Sequence, residues 1–255
     1  MNDHSENLQR VWHADLQAWS EQLDVDLHQP AFLEQLAHFL NQFDPEHLCP
    51  QPTDIFRAFR LTNPKTCLAI LIGEDPYPRR ESACGIAFYD AAIRHWQDRR
   101  RNNCMFNMLK ALAIHTGQAT YGTPLDQVRQ IACDWPDPPT LFEDWAGQGL
   151  LLLNATLTFS AKKSPIKLQH FRFWQMWMDR FLVHCNQKLK PTFILWGQKA
   201  INRLTTALGP GMAHAQVIRQ GHPTYQHQFL KPSNLHFSPF NELAQALPIR
   251  WMTRT

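Results

Sequence analysis

The sequence predicts an α/β fold of three layers, α/β/α, with a central four-stranded parallel sheet. Two observations predict it. Four short runs, "CLAILIG" (67–73), "GLLLLNATLTF" (149–159), "TFILWG" (192–197) and "AQVIRQGHP" (215–223), are mostly apolar on both sides of a strand and end in polar or turn residues, the pattern of strands buried in a parallel sheet. Helix-like segments at about 103–114, 170–187 and 198–208 lie between them, and strand–helix alternation of this kind argues for a helix-covered sheet.

Ahead of the first strand, apolar residues recur at helical spacing from Leu8 to about Phe43: Leu8, Val11 and Trp12, then Phe32, Leu33, Leu36, Phe39 and Leu40. "HQP" at 28–30 breaks the run, so two helices are expected. "DPEHLCPQPTD" (44–54), with three prolines, reads as an extended loop, and "IFRAFRLT" (55–62) as a short helix. A chain of 255 residues that is 44% hydrophobic suits one sizeable core. A single domain over 1–255 is expected, with the helical region 1–60 packed on it.

The formal charge of +3 permits an anionic partner without demanding one. Six cysteines, at 49, 67, 84, 104, 133 and 185, contain no CxxC pair, which suggests reduced and mostly buried thiols with no zinc or iron–sulfur signature. No metal or cofactor is expected. The N-terminus lacks a basic region followed by an apolar core, and no segment approaches ~18 consecutive apolar residues. The expectation is a soluble, intracellular, cytoplasmic protein that meets no membrane, and a monomer, because no apolar surface stretch asks for a second subunit.

In helix-covered parallel sheets, ligands sit beyond the carboxyl ends of the strands. The residues there are Asp75, Tyr77, Asn154, Gly197, Gln198 and His222, and Gly73 before them is expected to let the backbone turn sharply. An ionised Asp75 could orient a water or stabilise a developing cation, or equally cap the turn that follows. The Asn154 amide suits paired hydrogen bonds to a nucleobase edge, although a lone Asn more often ties down a turn. His222 could donate to an oxygen that gains charge as a bond breaks, and Phe88 could stack on a base; each has a purely structural alternative. The adjacent acids Glu74 and Asp75 invite a glycosidase with one acid and one base, but neighbours in an extended segment point to opposite sides. Basic residues gather in "RHWQDRRRNN" (94–103), in "SAKKSPIK" (160–167) and at Arg79 and Arg80, all on or near the ligand side. They are either a solvated face or phosphate contacts.

Together these motifs resemble family 1 uracil-DNA glycosylases. "GEDPYP" is similar to the family's water-activating GQDPY, with Pro78 after the tyrosine as in poxvirus members. "GIAF" (85–88), "LLLNATLT" (151–158), "ILWGQKA" (194–200) and "HPT" (222–224) resemble its other motifs, in order, and the likeness covers nearly the whole chain. The resemblance implies a DNA-repair glycosylase that flips deoxyuridine out of DNA and hydrolyses its N-glycosidic bond without a metal. It implies that Asp75 orients the water and favours the cationic sugar, and that Tyr77 fills the space a C5 methyl would need. It further implies that Phe88 stacks on the base, Asn154 pairs with its N3 and O4 edge, and His222 bonds O2, with main-chain N–H groups near Glu74 assisting. Arg101, Asn103, Cys104, Ser164, Thr224, Tyr225 and Gln226 are the implied DNA contacts. Single-stranded and duplex uracil DNA are the implied partners, with a protein inhibitor of the cleft as a further one.

The chain departs from the family in three places. Glu74 replaces a Gln. "RNNC" (101–104) has lost the prolines of a phosphate-contacting loop while gaining Arg101. Gln226 stands where the family has a wedge Leu, with Tyr225 or Phe229 as substitutes, so stronger action on single-stranded than on duplex DNA is expected. Two rival readings follow: a non-catalytic DNA-binding protein that kept the fold, and a glycosylase for another damaged base.

Overall fold

The computed structural model describes residues 3–161 and 164–252. Four strands, β1 (Ala69–Gly73), β2 (Leu150–Asn154), β3 (Thr192–Trp196) and β4 (Val217–Gln220), pair in the order β2-β1-β3-β4. Every pair is parallel, with Gly73 beside Asn154, Ile72 beside Leu195 and Trp196 beside Gln220. All four strands therefore finish along one edge of the sheet.

The continuous apolar runs follow from this arrangement, because side chains alternate between faces and both faces are covered. Ala69, Leu71, Leu150, Leu152, Ile194 and Trp196 enter one core, and Ile70, Ile72, Leu151, Leu153, Phe193 and Leu195 enter the other. The helices among the described residues are α1 (Asp3–Leu23), α2 (Pro30–Leu40), α3 (Arg57–Leu61), α4 (Asn103–His115), α5 (Leu125–Ile131), α6 (Pro138–Gly147), α7 (Ser164–Lys188), α8 (Gln198–Leu208), α9 (Gln226–Phe229) and α10 (Pro239–Ala246). Helices α4, α5, α6 and α10 close the first core, and α1, α2, α3, α7 and α8 the second. The three-layer expectation is met.

The helices of the region 1–60 join the second layer through aromatic packing. Phe32 of α2 stacks on Trp177 of α7 with ring centroids 5.9 Å apart, and Trp19 of α1 lies 5.7 Å from Phe181 of α7. Two helices of the first layer, α5 and α6, go beyond the sequence reading, and α7 begins at Ser164 rather than near 170. In both α6 and α7 prolines occupy the first turn, where a missing N–H does no harm, so residues that look like breakers are starters. The six cysteines are free, with Cys133 exposed and Cys67 partly so. Among the described residues, no helix is long and apolar enough to cross a membrane.

Candidate active site

A cleft of about 360 Å³ opens at the carboxyl edge of the sheet. Asp75 and Tyr77 reach it from the loop after β1, Asn154 from the end of β2 and His222 from the turn after β4. The end of β3 contributes from behind. Trp196 packs against Phe88 at 5.3 Å between centroids, and a Cβ on Gly197 would lie 2.8 Å from the His222 Cβ. Gly197 has φ +98, so it supplies both a backbone that L side chains avoid and the room that lets the imidazole lie close.

Gly73 corrects a sequence reading. Its expected task was a sharp turn, yet it is the last residue of β1 and its φ is not positive. A Cβ there would stand 2.4 Å from Asn154 Oδ1. The glycine is needed for space: it lets the neighbouring strand's amide lie flat against β1 and face the cleft. Asn154 is buried and lines the cleft, where its amide can offer a donor and an acceptor to a ligand.

The aromatic wall is fixed with similar care. The Tyr77 hydroxyl donates to the Phe88 carbonyl at 3.2 Å, and burial pushes its pKa well up, so it stays a neutral phenol. Phe88 has φ +66, an unfavourable backbone for a non-glycine residue and one that persists only where the surroundings impose it. Its ring lies 5.9 Å from that of His222, tilted by 44°. Cys104 lies inward, lining the cleft beside Tyr77, with burial raising its thiol to about 12.

His222 Nδ1 accepts from the Thr224 main-chain N–H at 3.1 Å. This assigns the ring proton to Nε2, because an accepting nitrogen carries none. Burial lowers its pKa, with Glu74 opposing and Lys199 assisting. The ring is thus a neutral donor at physiological pH.

Glu74 and Asp75 do not diverge as adjacent residues in a strand would, because the chain bends here. The Lys167 ammonium meets both, bonding Glu74 Oε1 at 2.9 Å and pairing with Asp75 Oδ2; Lys199 also pairs with Glu74 Oε1. Burial raises the pKa of Asp75, and Lys167 works against it. Burial also acts to raise that of Glu74, but the two lysines outweigh it and hold the carboxyl below its usual range. Lys167 and Lys199 in this role are what sequence reasoning missed. The signal was Glu74 itself, since one carboxylate directly beside another asks for a counter-charge.

A second groove of about 530 Å³ adjoins the cleft at Thr224. Arg99, Arg100, Arg101 and Asn103 form one wall, and Tyr225, Gln226 and His227 another. The Asn107 amide donates to the Pro223 carbonyl at 2.6 Å and ties the walls together. Tyr225 is 54% exposed, whereas Phe229 is fully buried against Trp196; Phe229 is therefore no substitute for a wedge. Arg79 is paired with the buried Asp90 at 3.1 Å and Arg80 with the exposed Glu46 at 3.0 Å. Ser164 opens α7, but its side chain lies outside the described residues, as do Lys162 and Lys163.

No family model matches the chain. A uracil-DNA glycosylase of Campylobacter lari is 28% identical over 243 residues, covering 92% of this chain and 93% of its own. A wild-type UNG crystal structure from Nitratifractor salsuginis superposes with a TM-score of 0.65 at 23% identity, over 89% of this chain and 92% of that one. A mimivirus UNG Y322L solved in complex with UGI gives a TM-score of 0.57 at 17% identity, over 82% and 69% of the two chains. The four-stranded parallel sheet and its helical layers are thus those of UNG structures.

Proposed function

We propose that this chain is a uracil-DNA glycosylase that hydrolyses the N-glycosidic bond of deoxyuridine in DNA, releasing uracil and leaving an abasic site. The observation that carries the reading is one cleft that brings together a buried amide, an imidazole with its proton on Nε2, and a carboxylate. Uracil presents O4 as acceptor and N3–H as donor on one edge. The Asn154 amide offers the reciprocal pair, and cytosine, with an amino group at C4, would set donor against donor. Leaving that buried amide unpaired is the penalty for the wrong base.

The nucleotide enters the cleft flipped from the stack, at a cost of a few kcal/mol that is least for a mispaired or single-stranded base. Phe88 stacks on the ring, and Tyr77, pinned to the Phe88 carbonyl, fills the space where thymine carries its methyl. As the C1′–N1 bond breaks, its electron pair stays with uracil and charge gathers on O2, where the Nε2–H of His222 donates. One such donor is worth about 2.7–4 kcal/mol. Asp75 favours the cationic sugar and orients a water whose oxygen bonds to C1′; the proton shed by that water passes to the carboxylate.

The finer assignment to family 1 rests on the motif order, with Pro78 as a poxvirus-like feature. DNA contact is assigned to Arg101, Asn103, Thr224, Tyr225 and Gln226 along the second groove, for single-stranded and duplex substrates alike. The whole chain is taken as one catalytic unit and a monomer. A protein inhibitor of the cleft is a further proposed partner, supported by the mimivirus UNG solved with UGI. The test is uracil release from a labelled oligonucleotide, read as strand cleavage at the abasic site. The parent should cleave and Asp75→Asn should do so far more slowly; a parent that leaves deoxyuridine intact in every DNA form overturns the reading.

A further inference from the structure

Asp75 sits in the cleft with its carboxyl partly buried, where loss of solvent favours the neutral acid. An Asp that must orient water and face a cationic sugar needs its charge. The groups that bear on it come from every side: Glu74 on its own loop, Lys167 from α7, Lys199 from α8 acting through Glu74, and His222 across the cleft. Asn154 at the end of β2 is neutral. Among the described residues Lys167 alone touches both carboxylates, and Glu74 is itself secured by Lys199.

Resting on the glycosylase reading, we propose that Lys167 is a positioning residue for Asp75, and that Glu74 and Lys199 form the bracket that holds it there. The Lys167 ammonium keeps the Asp75 carboxylate charged and turned toward the cleft. Glu74 prevents the flexible lysine from swinging away to solvent or to a phosphate, and Lys199 balances the charge that Glu74 adds. The three residues are one device. A Glu beside the working Asp would otherwise repel it and raise its pKa; with two lysines facing it, the same Glu becomes an anchor. Lys167 is far along the chain from the loop it serves, so its place depends on the start of α7, and its half-exposed side chain makes its replacement compatible with folding.

The test is kcat and KM against pH for Lys167→Met and Lys167→Arg, with thermal melting as the check on folding. Lys167→Met should lower kcat roughly 10- to 100-fold, a share of what a positioned acid–base group supplies. It should also move the acidic limb of the kcat profile to higher pH, because without the ammonium Asp75 takes up its proton earlier. Lys167→Arg should recover most of kcat and return the limb, and Lys199→Met should fall between. If Lys167→Met changes only KM and its salt dependence while the limb stays, the lysine is a phosphate contact and the proposal is wrong. An unchanged kcat also overturns it. A parent enzyme that releases no uracil would instead overturn the functional reading, so the two failures are distinguishable.

Discussion

The cleft and the adjoining groove share Thr224 but are built on opposite principles. In the cleft four functional side chains are held from behind: Asn154 against Gly73, His222 against Gly197, Phe88 against Trp196, Tyr77 through its hydroxyl bond. In the groove, Arg99, Arg101, Asn103 and Tyr225 are exposed. The difference teaches where chemistry and where affinity reside. Bond cleavage needs positions fixed to a fraction of an ångström, which packing supplies, whereas phosphate attraction acts over a Debye length of about 8–10 Å and tolerates loose placement. The groove therefore tolerates changes of residue that the cleft does not.

If that contrast is right, cleft substitutions change rate far more than binding. Asp75→Asn should cost the most, on the order of 10³-fold in single-turnover uracil release, within the range of positioned acid–base groups. His222→Ala should follow at ~10²–10³-fold, with DNA affinity nearly unchanged by fluorescence anisotropy. The pH profile sharpens the point. Burial depresses the His222 pKa from 6.5, so its neutral form is the working one and kcat should not fall as pH rises from about 6.5 to 8. Activity should instead be lost on the acidic side, where the raised Asp75 pKa brings protonation earlier than for a free Asp. A rate that declines through pH 7 would mean that a protonated imidazole is required.

Gly73→Ala probes the packing directly and should rank next. The added methyl would need the space of Asn154 Oδ1, 2.4 Å away, so the amide must move. Overpacking of this kind costs about 1–3 kcal/mol of stability. Uracil release should fall on the order of tenfold or more, since small misplacements at reacting centres are expensive. A protein with normal melting and normal rate would show that the amide is not the recognition element.

The sheet was legible in the sequence because burial on both faces writes uninterrupted apolar runs, and the ligand edge because strand ends fall at fixed places in such runs. The rest was hidden for identifiable reasons. Glycine reads the same whether it serves a turn or a close approach, so Gly73 was assigned the wrong task. Helix α6 begins in a proline-dense stretch that looks like loop. The Glu74–Lys167 bond joins residues 93 positions apart, and ion pairs at that separation leave no periodic trace. Arg79 and Arg80 looked like part of a basic surface, since their partners Asp90 and Glu46 are invisible until the chain folds.

The groove offers smaller and differently shaped effects. Replacing Arg99, Arg100 and Arg101 together with Gln should weaken duplex and single-strand binding alike. The slope of log affinity against log salt should fall by up to about 2.7 for duplex DNA, if each Arg neutralises one phosphate, with single-turnover kcat at saturation nearly intact. Tyr225 is the finest test. It is the large exposed ring next to the cleft, and Gln226 beside it has no apolar surface to fill a vacated stack. If Tyr225 helps keep a base extruded, Tyr225→Ala should cost a few-fold to tenfold on duplex uracil DNA, a fraction of the few kcal/mol that unstacking requires. On single strands, where little stacking is lost, it should cost less. The parent should already be faster on single-stranded than on duplex substrate at matched salt, because one edge-mounted tyrosine is a poorer wedge than a buried-in leucine. Equal losses on both substrates would make Tyr225 a plain backbone contact, and a parent rate on duplex equal to or above that on single strands would show that the groove extrudes bases as well as the cleft reads them.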